Sequence, residues 1–106
     1  MSTITEPIII EAENDRVEVF LSGDIDHKNA ASLRNDIDYA IDRHKPKTLT
    51  LNFAKVEFMD SSGIGLIMGR YKKLSALGGR LIVSGTSGTI KRVMKIAGIE
   101  KLAEIK

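Results

Sequence analysis

The order of hydrophobic periodicities predicts a single α/β domain, a mixed sheet of four or five strands packed with three main helices. Short runs with a two-residue period alternate with longer runs of helical period, which implies parallel strands joined by helical crossovers. The first two runs are separated only by a tight polar turn, so the sheet opens with a hairpin and is mixed. A length of 106 residues suffices for one core and is short for two.

Ile8, Ile9 and Ile10 form the first apolar run, and a polar turn at Asn14 and Asp15 follows. Val17, Val19 and Leu21 then alternate with Glu18 and Ser22 as far as Gly23, which gives a second strand. Between Asn29 and Arg43 the period changes: Ala30, Leu33, Ile37, Ala40 and Ile41 share one helical face, while Asp36, Asp38, Asp42 and Arg43 lie elsewhere. Pro46 marks the stop. Leu49, Leu51 and Phe53 alternate with Thr50 and Asn52 as a third strand with one apolar face. The stretch from Lys55 to Met59 is expected to lead out of that strand to Asp60.

A second helix is expected to begin near Ser61 or Ser62, because Asp and Ser oxygens accept from the amides that a first helical turn leaves free. Ile64, Ile67, Tyr71 and Leu74 supply its stripe, and Gly78 with Gly79 its end. Leu81, Ile82 and Val83 form a continuous apolar run, as in a strand buried on both faces. Ile90, Val93, Met94 and Ala97 give a third helix after the loop from Ser84 to Gly88, with Gly98 beyond it. Ile99 to Lys106 adds at most a short strand, and the whole chain, 1–106, reads as one domain without repeat or linker.

Composition narrows the function. Hydrophobic residues make up 42% and charged residues 28%, values typical of a folded globule. Sixteen Lys+Arg against fourteen Asp+Glu are interspersed along the chain, so nucleic acid is not implied. The densest basic groups, Lys72 with Lys73 and Lys91 with Arg92 and Lys95, lack interleaved aromatics and read as solvated helix faces. The absence of cysteine excludes disulfides, thiol catalysis and thiolate metal sites, and suits a reducing compartment. Met1 to Pro7 lacks the basic and apolar regions of a leader, and no apolar stretch is long enough to span a membrane. A cytoplasmic monomer with no cofactor, no metal and no membrane contact is expected.

The second helix is locally expensive. Gly63, Gly65 and Gly69 each give up about 1 kcal/mol of helix propensity relative to Ala, so close packing on the sheet, or of another chain on the helix, is expected to compensate. A helix start also exposes free amides and the positive end of the macrodipole, where an anion is stabilised. Phosphate on Ser61 would fit there without unfolding the chain, and with Asp60 beside it would alter what a partner reads. The same serine pair also reads as a simple helix cap.

Phe58-Met59-Asp60-Ser61-Ser62-Gly63-Ile64-Gly65, followed by Gly69-Arg70-Tyr71-Lys72, closely resembles the signature of the sporulation-type anti-sigma factor antagonists, members of the STAS domain family. Gly23-Asp24-Ile25-Asp26-His27 is similar to the family's Gly-Glu-Leu-Asp-His stretch, while Gly78-Gly79, Lys91-Arg92 and Gly98 fall in the family's order. The resemblance implies a non-catalytic switch in transcription regulation. Its unphosphorylated form would bind an anti-sigma factor and release the sigma factor. That same partner, a serine kinase, would inactivate it by phosphorylating Ser61, and a serine phosphatase would reset it. The implied partner surface comprises Asp26, Asp60, Ser61, Ser62, Gly63 and Ile64; Asp26 reads equally as the N-cap of the first helix. Two features depart from the family: the chain ends at Lys106, before a further helix, and His27-Lys28 stands where a double His is usual.

Rival readings rest on thinner patterns. Asp24 and Asp26 after an apolar strand suggest an aspartate nucleophile pair, and Asp60, Ser61 and His27 or His44 a triad, but no Gly-x-Ser-x-Gly elbow surrounds Ser61 or Ser62. The carboxylates lack a metal-loop spacing. Gly85-Thr86-Ser87-Gly88, ahead of Lys91 and Arg92, offers amides to a phosphate as a nucleotide- or anion-binding regulatory module would, though without a Gly-Lys-Ser/Thr triplet.

Overall fold

The computed structural model describes residues 8–106; the leaderless reading of Met1 to Pro7 lies outside the described residues. Strands β1 (Ile8–Glu13) and β2 (Arg16–Ile25) form the expected hairpin, with Ile8 opposite Leu21 and Glu13 opposite Arg16. Asn14 turns the chain at φ 54°, in the left-handed region that Asn enters more readily than most side chains. Helix α1 (Ala30–His44), strand β3 (Thr48–Met59), helix α2 (Ser61–Ala76), strand β4 (Arg80–Ser84) and helix α3 (Gly88–Ile96) follow. A 3-10 turn over Ile99–Lys101 then leads to the two-residue strand β5 (Glu104–Ile105). The sheet runs β1-β2-β3-β4-β5, antiparallel only between β1 and β2.

Register explains the core. Val17, Leu49 and Leu81 stand in one row across β2, β3 and β4, and Val19, Leu51 and Val83 in the next. All six are buried, and Ile37, Ile41, Ile67, Leu74 and Met94 from the helices join them in one cluster. The opposite face is left half-open, with Phe20, Thr50 and Ile82 only partly buried. The expectation that β4 is buried on both sides is therefore corrected: the core clusters on one face of the sheet, and Ile82 points to the other.

Three further corrections have local causes. Gly23 does not end β2; at φ 75° it lies inside the strand where the register with β3 shifts, the role of a bulge glycine. β3 likewise runs on through Lys55 to Met59, so that Ser22–Ile25 and Lys55–Met59 extend as a two-stranded ribbon beyond the rest of the sheet. On α2 the buried stripe is Gly63, Leu66, Ile67, Arg70 and Leu74, with Ile64 and Tyr71 only half-buried. The helix is turned from the expected face because it presents Arg70 to α1.

Arg70 is 6% exposed, and its Nε lies 2.9 Å from Asp38 Oδ1. The contact is an ion pair without hydrogen-bond geometry, since Arg70 Nε, Arg70 Nη1 and Asp38 Oδ1 have no hydrogen-bond partner among the described residues. Burial pushes the guanidinium below the usual arginine range, Asp38 opposes that, and Arg34 adds to the lowering. Lys73 reaches Asp42 one turn further along both helices, at 2.9 Å. Breaking a buried pair costs more than replacing it, because the surviving charge is stranded. Asp38→Leu is expected to lose about 3 kcal/mol in urea unfolding, and Asp38→Leu with Arg70→Met to lose clearly less. Equal losses for the single and double variants would show that the pair is not the cause.

Candidate functional site

The ends of β2 and β3 lie side by side, with Ile25 opposite Met59. Immediately after them the Asp60 backbone N–H donates to the Ile25 carbonyl at 3.1 Å. That bond brings the loop from Asp26 to Asn29 next to the start of α2.

Asp60, with an extended backbone, is the N-cap of α2, and its carboxylate accepts from the Ser62 N–H at 2.7 Å. The carbonyl of Asp60 accepts from the Gly63 N–H at 3.0 Å. Capping thus falls to Asp60 and leaves the Ser61 hydroxyl uncommitted. Ser61 is the first residue of the helix and exposed, with no side-chain hydrogen bond among the described residues; Ser62 is half-buried.

Gly63 is explained by close approach. A Cβ there would collide with the Met59 side chain and lie 3.4 Å from Ile25 Cγ2, so only hydrogen fits unless the Met59 side chain shifts. Gly65 and Gly69 differ, since a Cβ on either would meet nothing within 4 Å. Packing on the sheet therefore accounts for one of the three glycines. The other two leave a bare strip along α2.

Asp26 and Asn29 cap each other. Asp26 Oδ1 accepts from the Lys28 and Asn29 amides at 2.9 and 3.2 Å, while Asn29 Oδ1 accepts from the Asp26 N–H at 3.0 Å. Asn29 Nδ2 also donates to the Asp24 carbonyl at 2.7 Å. This reciprocal pair works as a capping box one turn ahead of α1, whose formal N-cap, Asn29, makes no side-chain cap bond. Asp26 stays half-exposed beside the start of α2.

The β2–β3 ribbon and the joint beyond it carry the carboxylates of Asp24, Asp26, Glu57 and Asp60, and Phe58 is 53% exposed opposite Asp24. Alternation along a strand gave no warning of an outward Phe here; the register shift in the ribbon turns it to solvent. His27 and His44 are exposed and make no hydrogen bond to Ser61 among the described residues, so the imagined triad is not assembled. In the loop before α3, the Ser87 hydroxyl already accepts from the Ile90 N–H at 3.3 Å. Gly85, at φ 70°, backs against Ala54 and Asn52, where a Cβ would lie 2.8 Å from Ala54 N. That loop is shaped by the strand beneath it. Among the described residues no cluster of three metal-ligating side chains occurs, and no helix is long and apolar enough to cross a membrane.

Fold and site define a five-stranded α/β module that displays a free serine at a helix start. The chain belongs to the STAS domain family, whose model matches residues 7–106. It is 36% identical over 98 residues to the anti-sigma F factor antagonist of Paenibacillus polymyxa, covering 91% of this chain and 84% of that one. It also matches the structure of the anti-sigma factor antagonist SpoIIAA in its unphosphorylated form, with TM-score 0.82, 32% identity and 93% and 87% of the two chains covered. For the Bacillus cell fate determinant SpoIIAA in the phosphorylated form the values are 0.74, 32%, 93% and 90%.

Asp60→Ala should cost about 1 kcal/mol through loss of the cap. Gly63→Ala should cost about 1–3 kcal/mol through displacement of Met59. Urea denaturation measures both, and an unchanged midpoint for Gly63→Ala would show that Met59 repacks freely.

Proposed function

We propose that this chain is an anti-sigma factor antagonist whose binding is switched off by phosphorylation of Ser61. The observation that carries the reading is the exposed, uncommitted Ser61 hydroxyl at a helix start that Asp60 already caps. The identities to anti-sigma F factor antagonists, and the match to a relative solved in both phosphorylation states, support it.

In the unphosphorylated form the surface around Asp26, Asp60, Ser61, Ser62, Gly63 and Ile64 docks on the anti-sigma factor, which then releases its sigma factor. The partner acts as a serine kinase and supplies the catalytic groups and ATP. Ser61 Oγ attacks the γ-phosphorus, the Oγ–P bond forms as the bond to ADP breaks, and the hydroxyl proton passes to a base of the partner. The product places a phosphate of about −1.5 to −2 charge against the β-phosphate of ADP. That repulsion, together with the added bulk at the docking surface, separates the two proteins.

The fold need not change. Phosphate at the first position of α2 sits at the positive end of the helix, a favourable place for an anion. A serine phosphatase restores the hydroxyl by hydrolysis. Asp26 serves twice, as the cap that fixes the loop before α1 and as a carboxylate offered to the partner.

Ser61→Ala is expected to keep its melting temperature and its partner affinity while mass spectrometry detects no phosphate after incubation with kinase and ATP. A mark on Ser62 or a threonine in that variant would refute the assignment. Ser61→Asp is expected to weaken partner binding about 10–100-fold, roughly 1.4–2.7 kcal/mol, at little cost in stability. Unchanged affinity in a calorimetric titration would count against charge at this position as the switch.

A further inference from the structure

α1 and α2 run side by side in the same sense, as helices following neighbouring parallel strands do. Their register is set by the Asp38–Arg70 pair and, one turn on, by Asp42–Lys73. Followed back toward the two N-termini, this register brings Ala30 and Ala31 level with Ser62, and Arg34 level with Gly65 and Leu66. Those residues line a groove of about 270 Å³.

Arg34 is the cation of that groove. It is exposed and has no carboxylate partner among the described residues. Its charge also bears on a second cation, since it helps to lower the pKa of the Arg70 guanidinium. Arg34 shares the groove with Ala30 and Ser62, near two helix starts that add partial positive charge.

We propose that Arg34 holds the phosphate of phosphorylated Ser61 in cis, across the groove between the starts of α1 and α2. This rests on the reading of Ser61 as the phosphoacceptor. Ser61 precedes Gly65 by one turn, so the two share a helix face, and the bare Gly65 leaves that face open. A guanidinium pairs with phosphate through two parallel hydrogen bonds. Phosphorylation would then add a charge of about −1.5 to −2 beside the docking surface and tie Arg34 to it.

The test is phosphorus NMR of the full chain carrying phosphoserine installed at position 61 during synthesis, as wild type and with Arg34→Gln or Arg34→Lys. The second ionisation of phosphoserine ordinarily falls at about 6. Arg34 should hold it lower, Arg34→Gln should raise it by about 0.5, and Arg34→Lys should fall between. Asp26 and Asp60 push the other way, and Arg70 with Asp38 lies further along the helices. All four remain in every background, so the difference reports Arg34. Because Arg34 is exposed, Arg34→Gln is expected to fold normally. The phosphate should also raise the melting temperature of the wild type more than that of Arg34→Gln. Superimposable titrations and equal thermal shifts overturn the proposal. Installing the phosphate chemically separates the two readings: a kinase that ignores Ser61 defeats the functional reading and leaves the Arg34 result standing.

Discussion

The joint at Asp60 is the constraint on which the site depends. Its backbone N–H is anchored to the end of β2, and its carboxylate closes the first turn of α2. A residue that lost either bond would let the helix start drift from the strand ends. The loop before α1 and the first turn of α2 would then no longer present one surface. Gly63 belongs to the same joint, since the absence of a side chain there lets the helix settle against Met59 and Ile25. Ser61 is exposed because its neighbours on both sides are committed.

The charges are arranged in a sequence along the two helices. At the start lie the free hydroxyl and the surrounding carboxylates; one turn in comes Arg34; then the buried Arg70 with Asp38, and the more exposed Lys73 with Asp42. Cross-helix pairs of this kind are weak evidence for stability as such. Their effect here is geometric: they fix how far α1 can slide along α2, and so which residues of one helix start face the other.

Much of the fold was legible because periodicity and turn chemistry agree in this chain. Asn14-Asp15, Pro46 and Gly78-Gly79 punctuate runs whose periods are unambiguous, and each of the three helices lies close to where its stripe predicts. The differences arise where tertiary packing overrides local pattern. Gly23 looks like a strand end and is a bulge, because a neighbouring strand continues beside it. Ile82 looks doubly buried and is not, since burial requires a covering layer that the apolar run itself cannot report. Arg70 lies outside the apolar stripe that the sequence shows; only the position of Asp38 on another helix reveals why it is inside. At the site, the motif marked Ser61, whereas the division of labour between Asp60 and Ser61, and the nearness of Arg34, required coordinates.

The two borders of the sheet are unlike each other. β5 is only two residues long, too short to template much of anything, whereas β1 offers six residues of backbone along its outer side. Glu11 and Glu13 stand exposed on that longer border. Another β1 laid against it in a continuing ladder would bring like carboxylates together, a penalty that discourages edge-to-edge growth. The chain thus carries a deterrent against zipping into fibres along its flank.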